Sequence, residues 1–213
     1  MNSTTSEQFH LYNINEDVLT VVNIATELNW VPIREQSISR ILYLASVLYS
    51  FRFRNQDNPF VKDYHFSVDA SGPFYSLIKN SLIFLEANDY IKRESKNEIS
   101  LGINNTINLN KLPNHETKAK WLRSIFYIIG VYGESKIYEF IIRDPQYQQN
   151  LNSNTLKDIN IGPNNETVAT LSTFKEAFEE ELKEEAEQID DKEYLELYFE
   201  YLFSKIIKGD VQL

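Results

Sequence analysis

The chain has 213 residues, of which 42% are hydrophobic, enough to fill the core of one large domain or two small ones. It contains no Cys, which excludes disulfides, a thiolate nucleophile and thiolate metal ligands. No apolar stretch approaches the roughly 20 residues that span a bilayer, and the polar N-terminus lacks the order of a signal peptide, so we expect a cytoplasmic protein without membrane contact.

The negative charge is concentrated in one segment near the C-terminus. The net charge is −10, and residues 176–200 contain 12 acidic and 2 basic side chains, so the remaining residues contain 19 of each and are neutral. A neutral body releases few counterions from a polyanion. This distribution argues against a chain that binds nucleic acid on its own.

The first third of the sequence predicts two helices. Apolar spacing predicts a helix over residues 16–29, with acidic side chains in its first turn, where the helix dipole favours them. Pro32 prevents this helix from continuing. Residues 36–54 carry apolar side chains over most of the helical circumference, which predicts a central, largely buried helix. Residues 60–70 are compatible with extended structure or with a short helix.

A third helix followed by a charged hairpin comes next. Gly72-Pro73 is expected to open the helix, because Pro is tolerated in a first turn, and Asn88-Asp89 to end it. Two short strands are predicted over 90–93 and 98–103. The inner face of the helix is predicted to contain Phe74, Leu77, Ile78, Leu82 and Leu85. A helix followed by a hairpin is the order of a winged helix.

The second half predicts further helices separated by polar sequence. Two helices hinged near Gly133 are expected to end before Pro145, and residues 146–168 are rich in loop-forming residues. The predicted fold is mainly α with a small β-hairpin wing, a winged-helix-like domain plus additional C-terminal helices. Its segments are a winged-helix-like domain (1–112), a helical extension packed on it (113–150), a linker (151–170) and acidic, aromatic helices (171–213).

Motifs that would indicate an enzyme are weak. No phosphate-binding loop, dinucleotide fingerprint or HExxH zinc motif occurs. Glu94-Ser95-Lys96 and Glu134-Ser135-Lys136 fit half of a nuclease metal motif, with Asp69 or Asp89 as the further ligand, but such short motifs arise by chance. The three His residues are far apart in sequence: His10, His65 and His115. We expect no catalytic activity, metal, cofactor or small-molecule substrate.

The third helix and the hairpin carry a few cations that can contact a DNA backbone. They are Lys79, Lys92, Arg93 and Lys96. Glu86, Glu94 and Glu98 lie among them, and no Arg on the helix is available to pair with guanine. The pattern favours weak, non-specific contact over sequence reading.

The C-terminal segment combines aromatic and acidic side chains, as protein interfaces for basic partners do. The candidate partner-binding residues are Phe174, Phe178, Leu182, Tyr194, Tyr198, Tyr201, Glu180, Glu181, Glu184 and Glu185. A local core that seals these helices is an equally good interpretation of the aromatic residues. We expect residues 171–213 to dock on another chain rather than to fold back.

Three stretches together resemble a known family. They are SRILYLASVLYSF, SGPFYSLIKNSLIFLEANDYI with the hairpin after it, and IYEFIIRDPQYQQNL. Over roughly residues 16–150 the chain is similar to the middle-component proteins of bacterial ABC-three-component systems. The resemblance implies a small winged-helix subunit that works beside an SMC/Rad50-like ATPase and an effector, as in Lamassu-type anti-phage and anti-plasmid defence.

The function that this resemblance implies is that of a non-catalytic accessory subunit. Such a subunit bridges the ATPase to an effector nuclease, helps to hold the effector inactive, and meets DNA only weakly or through the complex. Two alternatives stay open. One is a stand-alone winged-helix DNA-binding regulator. The other is a SocA-like (Panacea) antitoxin, a family with a similar layout in which a Tyr occupies the place of Ser71.

Overall fold

The computed structural model describes residues 3–104, 114–153, 158–183 and 189–210, with the side chains of residues 10–205 in these ranges. These ranges form a mainly helical protein with small antiparallel sheets. The helices are α1 (Ser3–Glu27), α2 (Glu35–Arg52), α3 (Ser76–Ala87), α4 (His115–Gly130), α5 (Glu134–Arg143), α6 (Pro145–Ser153), α7 (Glu166–Leu182) and α8 (Asp191–Asp210). The strands are β1 (Ile33–Arg34), β2 (Ser67–Asp69), β3 (Gly72–Phe74), β4 (Ile91–Ser95) and β5 (Glu98–Leu101).

The charged hairpin predicted after the third helix is confirmed, and it belongs to a three-stranded sheet. β5 pairs with both β4 and β1, so the strand order is β1-β5-β4. The tip of the hairpin contacts the start of α2, where the Glu35 N–H donates to the Asn97 carbonyl at 2.8 Å. The short strand before α2 and the hairpin after α3 are therefore one unit, although long stretches of sequence separate them.

The start of the third helix was predicted wrongly. Gly72 and Pro73 lie in β3, which pairs with β2, and the helix begins at Ser76. Gly72 has φ of 120°, a value that no helical residue adopts, and Pro73 is tolerated in this short strand pair because it needs no ladder N–H. Phe74 consequently lies on the surface instead of on the inner face of α3.

The first helix is longer than the spacing predicts. α1 begins at Ser3, so Glu16 and Asp17 lie in its middle and not in a first turn. Both side chains are buried. The prediction that the helix dipole favours this acidic pair is therefore wrong. The pair depends instead on side chains from elsewhere in the chain.

The centre of the protein is α2, as its apolar pattern predicts. No charged residue occurs between Arg40 and Arg52, and every residue from Ile41 to Phe51 is buried. Helices α1, α4, α5, α7 and α8 all contact it. A helix that is apolar on all sides must be covered on all sides, so α2 draws in helices from both halves of the chain.

Three polar side chains attach distant segments to the backbone of α2. The indole N–H of Trp121 donates to the Ala45 carbonyl at 2.7 Å, and Asn58 donates to the Ser46 carbonyl at 2.9 Å. Asn165 donates to the next carbonyl, that of Val47, at 2.9 Å. Consecutive carbonyls of one helix therefore fix the positions of α4, of the turn after α2, and of the start of α7.

A buried carboxyl joins α2, α6 and α7. Asp144 accepts hydrogen bonds from the hydroxyls of Tyr43 on α2 and Thr167 on α7, each at 2.5 Å. It also accepts from the Tyr147 N–H at 2.8 Å and so caps the start of α6. Burial raises the pKa of Asp144, while these donors act in the opposite direction.

The described residues of the stretch predicted as a polar linker are part of the fold. α6 extends to Ser153 and α7 begins at Glu166, and between them Ile159 and Ile161 are buried. Asn165 caps α7 by accepting from the Val168 N–H at 2.9 Å. The Asn-rich composition reflects side-chain hydrogen bonding to backbone groups, which a composition-based prediction cannot tell from a flexible linker.

The C-terminal helices fold back onto the body, which corrects the expectation that they dock on another chain. Leu171 on α7 and Leu195 on α8 are completely buried. The ring of Phe199 packs edge-on against Phe140 of α5 at 5.0 Å between centroids. Buried residues from all four predicted segments form a single hydrophobic core.

We predict that Asp144→Ala lowers the free energy of unfolding by about 3 kcal/mol, because it leaves the buried Tyr43 and Thr167 hydroxyls without an acceptor. Asp144→Asn keeps one acceptor and should cost about half as much. Urea denaturation gives both values, with the exposed Asp57→Ala as the matched control. Equal stability of Asp144→Ala and Asp57→Ala would contradict the assignment.

Candidate interaction surfaces

The outer face of α3 carries apolar side chains where a DNA-reading helix carries polar ones. Ser76, Lys79, Asn80 and Ile83 are exposed. Ile83 is 55% exposed, and its neighbour Phe84 is 44% exposed. We refer to Lys79, Ile83, Phe84 and the β4–β5 hairpin as the α3–hairpin surface.

One of the four cations predicted as possible DNA-backbone contacts is bound to acids within the chain. Arg93 on β4 donates to Glu35 at 2.9 Å and to Glu86 at 3.2 Å, and also to the Lys96 carbonyl at 3.1 Å. Hydrogen bonding to Glu35 is the main reason why the pKa of Arg93 is raised. Arg93 therefore joins the hairpin to α2 and α3.

Of the other cations of the α3–hairpin surface, one is paired with an acid. Lys92 forms an exposed ion pair with Glu94 at 2.9 Å, which holds the pKa of Glu94 below its usual range. Lys79 and Lys96 are exposed and form no ion pair with a described residue. The surface contains four basic side chains and two acidic ones, Glu94 and Glu98, and the two carboxylates that bind Arg93 bring the number of acids to four.

The two nuclease-like motifs are not brought together with further acids. Glu94 and Ser95 end β4, an edge strand, and Glu134 opens α5. The Glu134 carboxylate accepts from the backbone N–H of Arg34 at 2.9 Å, next to the sheet. Among the residues that the structure describes, no three His, Asp or Glu side chains are close enough to hold a metal ion.

Each His lies beside a different carboxylate, as expected for residues scattered along the chain. His10 contacts Asp63 at 2.8 Å, and His65 contacts Asp158 at 3.0 Å on the surface. His115 lies against the buried carboxyl of Glu16.

A buried ionic cluster connects α1, α4 and the turn before β2. The Lys118 ammonium lies 2.8 Å from Asp17 and 3.4 Å from Asp63, and the Tyr64 hydroxyl donates to Asp17 at 2.9 Å. Burial disfavours the charge of Lys118, but the two carboxylates outweigh it and raise its pKa. Asn13 donates to both oxygens of Asp63. The donors are satisfied within the cluster, which is the arrangement of a structural ion network.

Next to this cluster, Glu16 and His115 form a pair in which burial disfavours the charged form of each side chain. Burial, together with the neighbouring Asp17 carboxylate, raises the pKa of Glu16 to about 8. Burial lowers the pKa of His115. Sequence reasoning missed this group, because the Glu16-Asp17 dipeptide looks like a helix start until α4 is packed against it.

The C-terminal candidate residues separate into core and surface. Tyr194 and Tyr198 are buried in the chain's own core, which corrects their assignment to partner binding, and burial raises the pKa of both. Phe174, Phe178 and Leu182 are half-buried. The exposed candidates are Tyr201, Glu180 and Glu181. Glu184 and Glu185 lie outside the described residues.

Half-exposed rings form a row where α7 meets α8. Phe174 lies 4.8 Å from Phe178 and 5.9 Å from Tyr201, measured between ring centroids, and Tyr201 is 46% exposed. We call these three rings the aromatic row. They are the part of the predicted partner-binding set that remains accessible after α7 and α8 fold back.

Comparisons with known proteins give this chain no relative: no family model, curated protein or solved structure matches it. Within the described part of the chain, no helix has both the length and the apolar character needed to cross a membrane.

We predict that Glu16→Gln is more stable than the wild type near neutral pH. The pKa of Glu16 is higher in the folded state than in the unfolded state, so binding of a proton stabilises the folded state. This stabilisation is complete below the ordinary pKa of 4.5 and is lost progressively as the pH rises to about 8. The Gln variant escapes this loss and should gain on the order of 1–2 kcal/mol at pH 7.5 but little at pH 4.5.

Urea denaturation of both proteins at several pH values measures this difference. The control is Glu116→Gln, a surface substitution on α4. Its stability relative to the wild type should not increase as the pH rises. A stability difference that does not change with pH would show that Glu16 is not buried in its protonated form.

Proposed function

We propose that this chain is a non-catalytic accessory subunit whose winged-helix module binds other proteins. The winged-helix assignment is supported by the order α1–β1–α2–α3–β4–β5 and by the strand order β1-β5-β4. In this arrangement a short strand before the second helix pairs with the hairpin after the third. The β2–β3 pair is an insertion between α2 and α3.

The observation that carries the proposal is the chemistry of the α3–hairpin surface. In a winged-helix DNA reader, the third helix presents polar and basic side chains to the groove. Here the corresponding face presents Ile83 and Phe84, and Arg93 is held by two carboxylates. Desolvating exposed apolar side chains favours a protein partner. A surface whose cations are offset by carboxylates, once Glu35 and Glu86 are counted, gains little from a phosphate backbone.

The partners that we propose follow from the resemblance to middle-component proteins. They are an SMC/Rad50-like ATPase and an effector nuclease, encoded next to this chain and acting in anti-phage or anti-plasmid defence. In this role the chain bridges the two proteins and helps to hold the nuclease inactive until DNA engages the ATPase.

We predict that the isolated chain binds DNA only weakly. A duplex of about 20 base pairs, followed by fluorescence anisotropy at physiological salt, should give a Kd above about 1 µM, the range of non-specific contact. Nanomolar binding that is lost in a variant with Lys79, Lys92, Arg93 and Lys96 all changed to Ala would overturn the proposal and favour the DNA-binding regulator.

We predict that co-expression with the neighbouring ATPase gives a complex that survives size-exclusion chromatography. Ile83→Ser/Phe84→Ser should weaken this complex about tenfold or more, because it removes two exposed apolar anchors without disturbing the core. Leu151→Ser, at a comparably exposed apolar residue on α6, is the matched control. A chain that stays monomeric beside the ATPase would defeat the proposal, and capture of a small basic toxin instead would indicate the antitoxin.

A further inference from the structure

We propose that the aromatic row, Phe174, Phe178 and Tyr201, is a docking site for an arginine-rich segment of a partner protein. This inference rests on the proposed function, because a bridging subunit needs a second binding surface. It names the chemistry of the partner that this second surface accepts.

The rings form a shallow apolar strip with an open side. Phe174 and Phe178 are one turn apart on α7, and their inward edges are covered by α8. Tyr201 continues the row on α8 and keeps 46% of its surface exposed. One cation already lies over this ring, since the Lys205 ammonium is 5.3 Å from its centroid, which is a favourable cation–π distance.

A carboxylate beside the row is not neutralised within the described chain. Glu181 follows Phe178 by three residues and Phe174 by seven, so the helical period places it on the edge of the same face. Its side chain is exposed and forms no ion pair with a described residue. Glu176 and Glu180 are also exposed without such a pair, and they add negative charge on other sides of α7.

Two lysines on these helices are already engaged. Lys175 lies 2.8 Å from Asp191 and 3.6 Å from Glu179, and Lys192 lies 2.9 Å from Glu196. Among the described residues of α7, the exposed Glu176, Glu180 and Glu181 are therefore left for a group from outside the chain. A second copy brings the same negative charge, and DNA brings more of it, so both are disfavoured as occupants.

Arginine fits this combination better than lysine does. Its planar guanidinium stacks on aromatic faces and forms two parallel hydrogen bonds to a carboxylate, which a lysine ammonium does not do. A segment that places one Arg on Glu181 and further Arg side chains on the rings covers the whole row.

The test uses the full chain and three synthetic 18-residue amphipathic peptides that differ only in carrying Arg, Lys or Glu at the charged positions. Fluorescence anisotropy should show the Arg peptide bound several-fold more tightly than the Lys peptide, and no binding of the Glu peptide. Equal affinity for the Arg and Lys peptides would overturn the proposal, since it would indicate attraction by net charge alone.

Two single variants with the same charge change localise the site. Glu181→Gln should weaken binding of the Arg peptide several-fold, and so should Tyr201→Ser. Glu180→Gln, at an exposed position on another side of α7, should change it by less than about twofold. Equal losses in the two Gln variants would refute a site at the aromatic row.

The same proteins separate this inference from the proposed function. Ile83→Ser/Phe84→Ser should bind the Arg peptide like the wild type, because those residues lie on α3. Peptide binding that localises to the aromatic row while the ATPase complex fails to form would sink the proposed function and leave the docking site standing. If the complex with the ATPase forms but the chain shows no selectivity for the Arg peptide, the proposed function stands and the docking site is refuted.

Discussion

The structure depends on one constraint, the complete burial of α2. From Ile41 to Phe51 this helix has no charged side chain, and each exposed apolar Å² would cost about 25 cal/mol. No single neighbour can cover all of its sides, so α1 and α4 pack on it together with α5, α7 and α8. The C-terminal helices are consequently part of the core, although their composition resembles that of a detachable acidic tail.

Buried polar groups decide how these helices are arranged around α2. Apolar packing alone tolerates several arrangements, whereas a buried donor or acceptor is costly unless its partner is in place. Asp144 requires the hydroxyls of both α2 and α7. Lys118 requires Asp17 from α1 and Asp63 from the turn before β2. Each of these groups selects one arrangement of its helices and penalises the others.

The same framework leaves two surfaces of different chemistry. The α3–hairpin surface is apolar, and its positive charge is offset by nearby carboxylates, because Glu35 and Glu86 bind Arg93. The surface around the aromatic row is apolar with unbalanced negative charge. In the function that we propose, these two surfaces recognise different partners, because desolvation dominates at the first and charge complementarity contributes strongly at the second.

Local pattern alone identified most elements but not their ends. The buried helix over 36–54 and the hairpin after α3 were predicted from periods and turn residues, which depend on near neighbours in the chain. Gly72-Pro73 was misread because a strand partner, Val68, lies across a turn that the helical pattern does not reveal. The Asn-rich stretch before α7 was misread because its partners lie more than 100 residues earlier in the chain. The Asn165 side chain donates to the Val47 carbonyl, and the Ile161 carbonyl accepts from the Asn58 side chain.

The sequence by itself determined the charge distribution, the apolar centre in α2 and the order of helices and hairpin, because these properties follow from composition and from contacts within a few residues. Only the tertiary structure decided which cations are free, which aromatic side chains are buried and whether α7 and α8 fold back. Arg93 and Tyr198 illustrate the reason: the availability of each depends on groups that are remote in sequence, and a pattern of neighbouring residues carries no information about them.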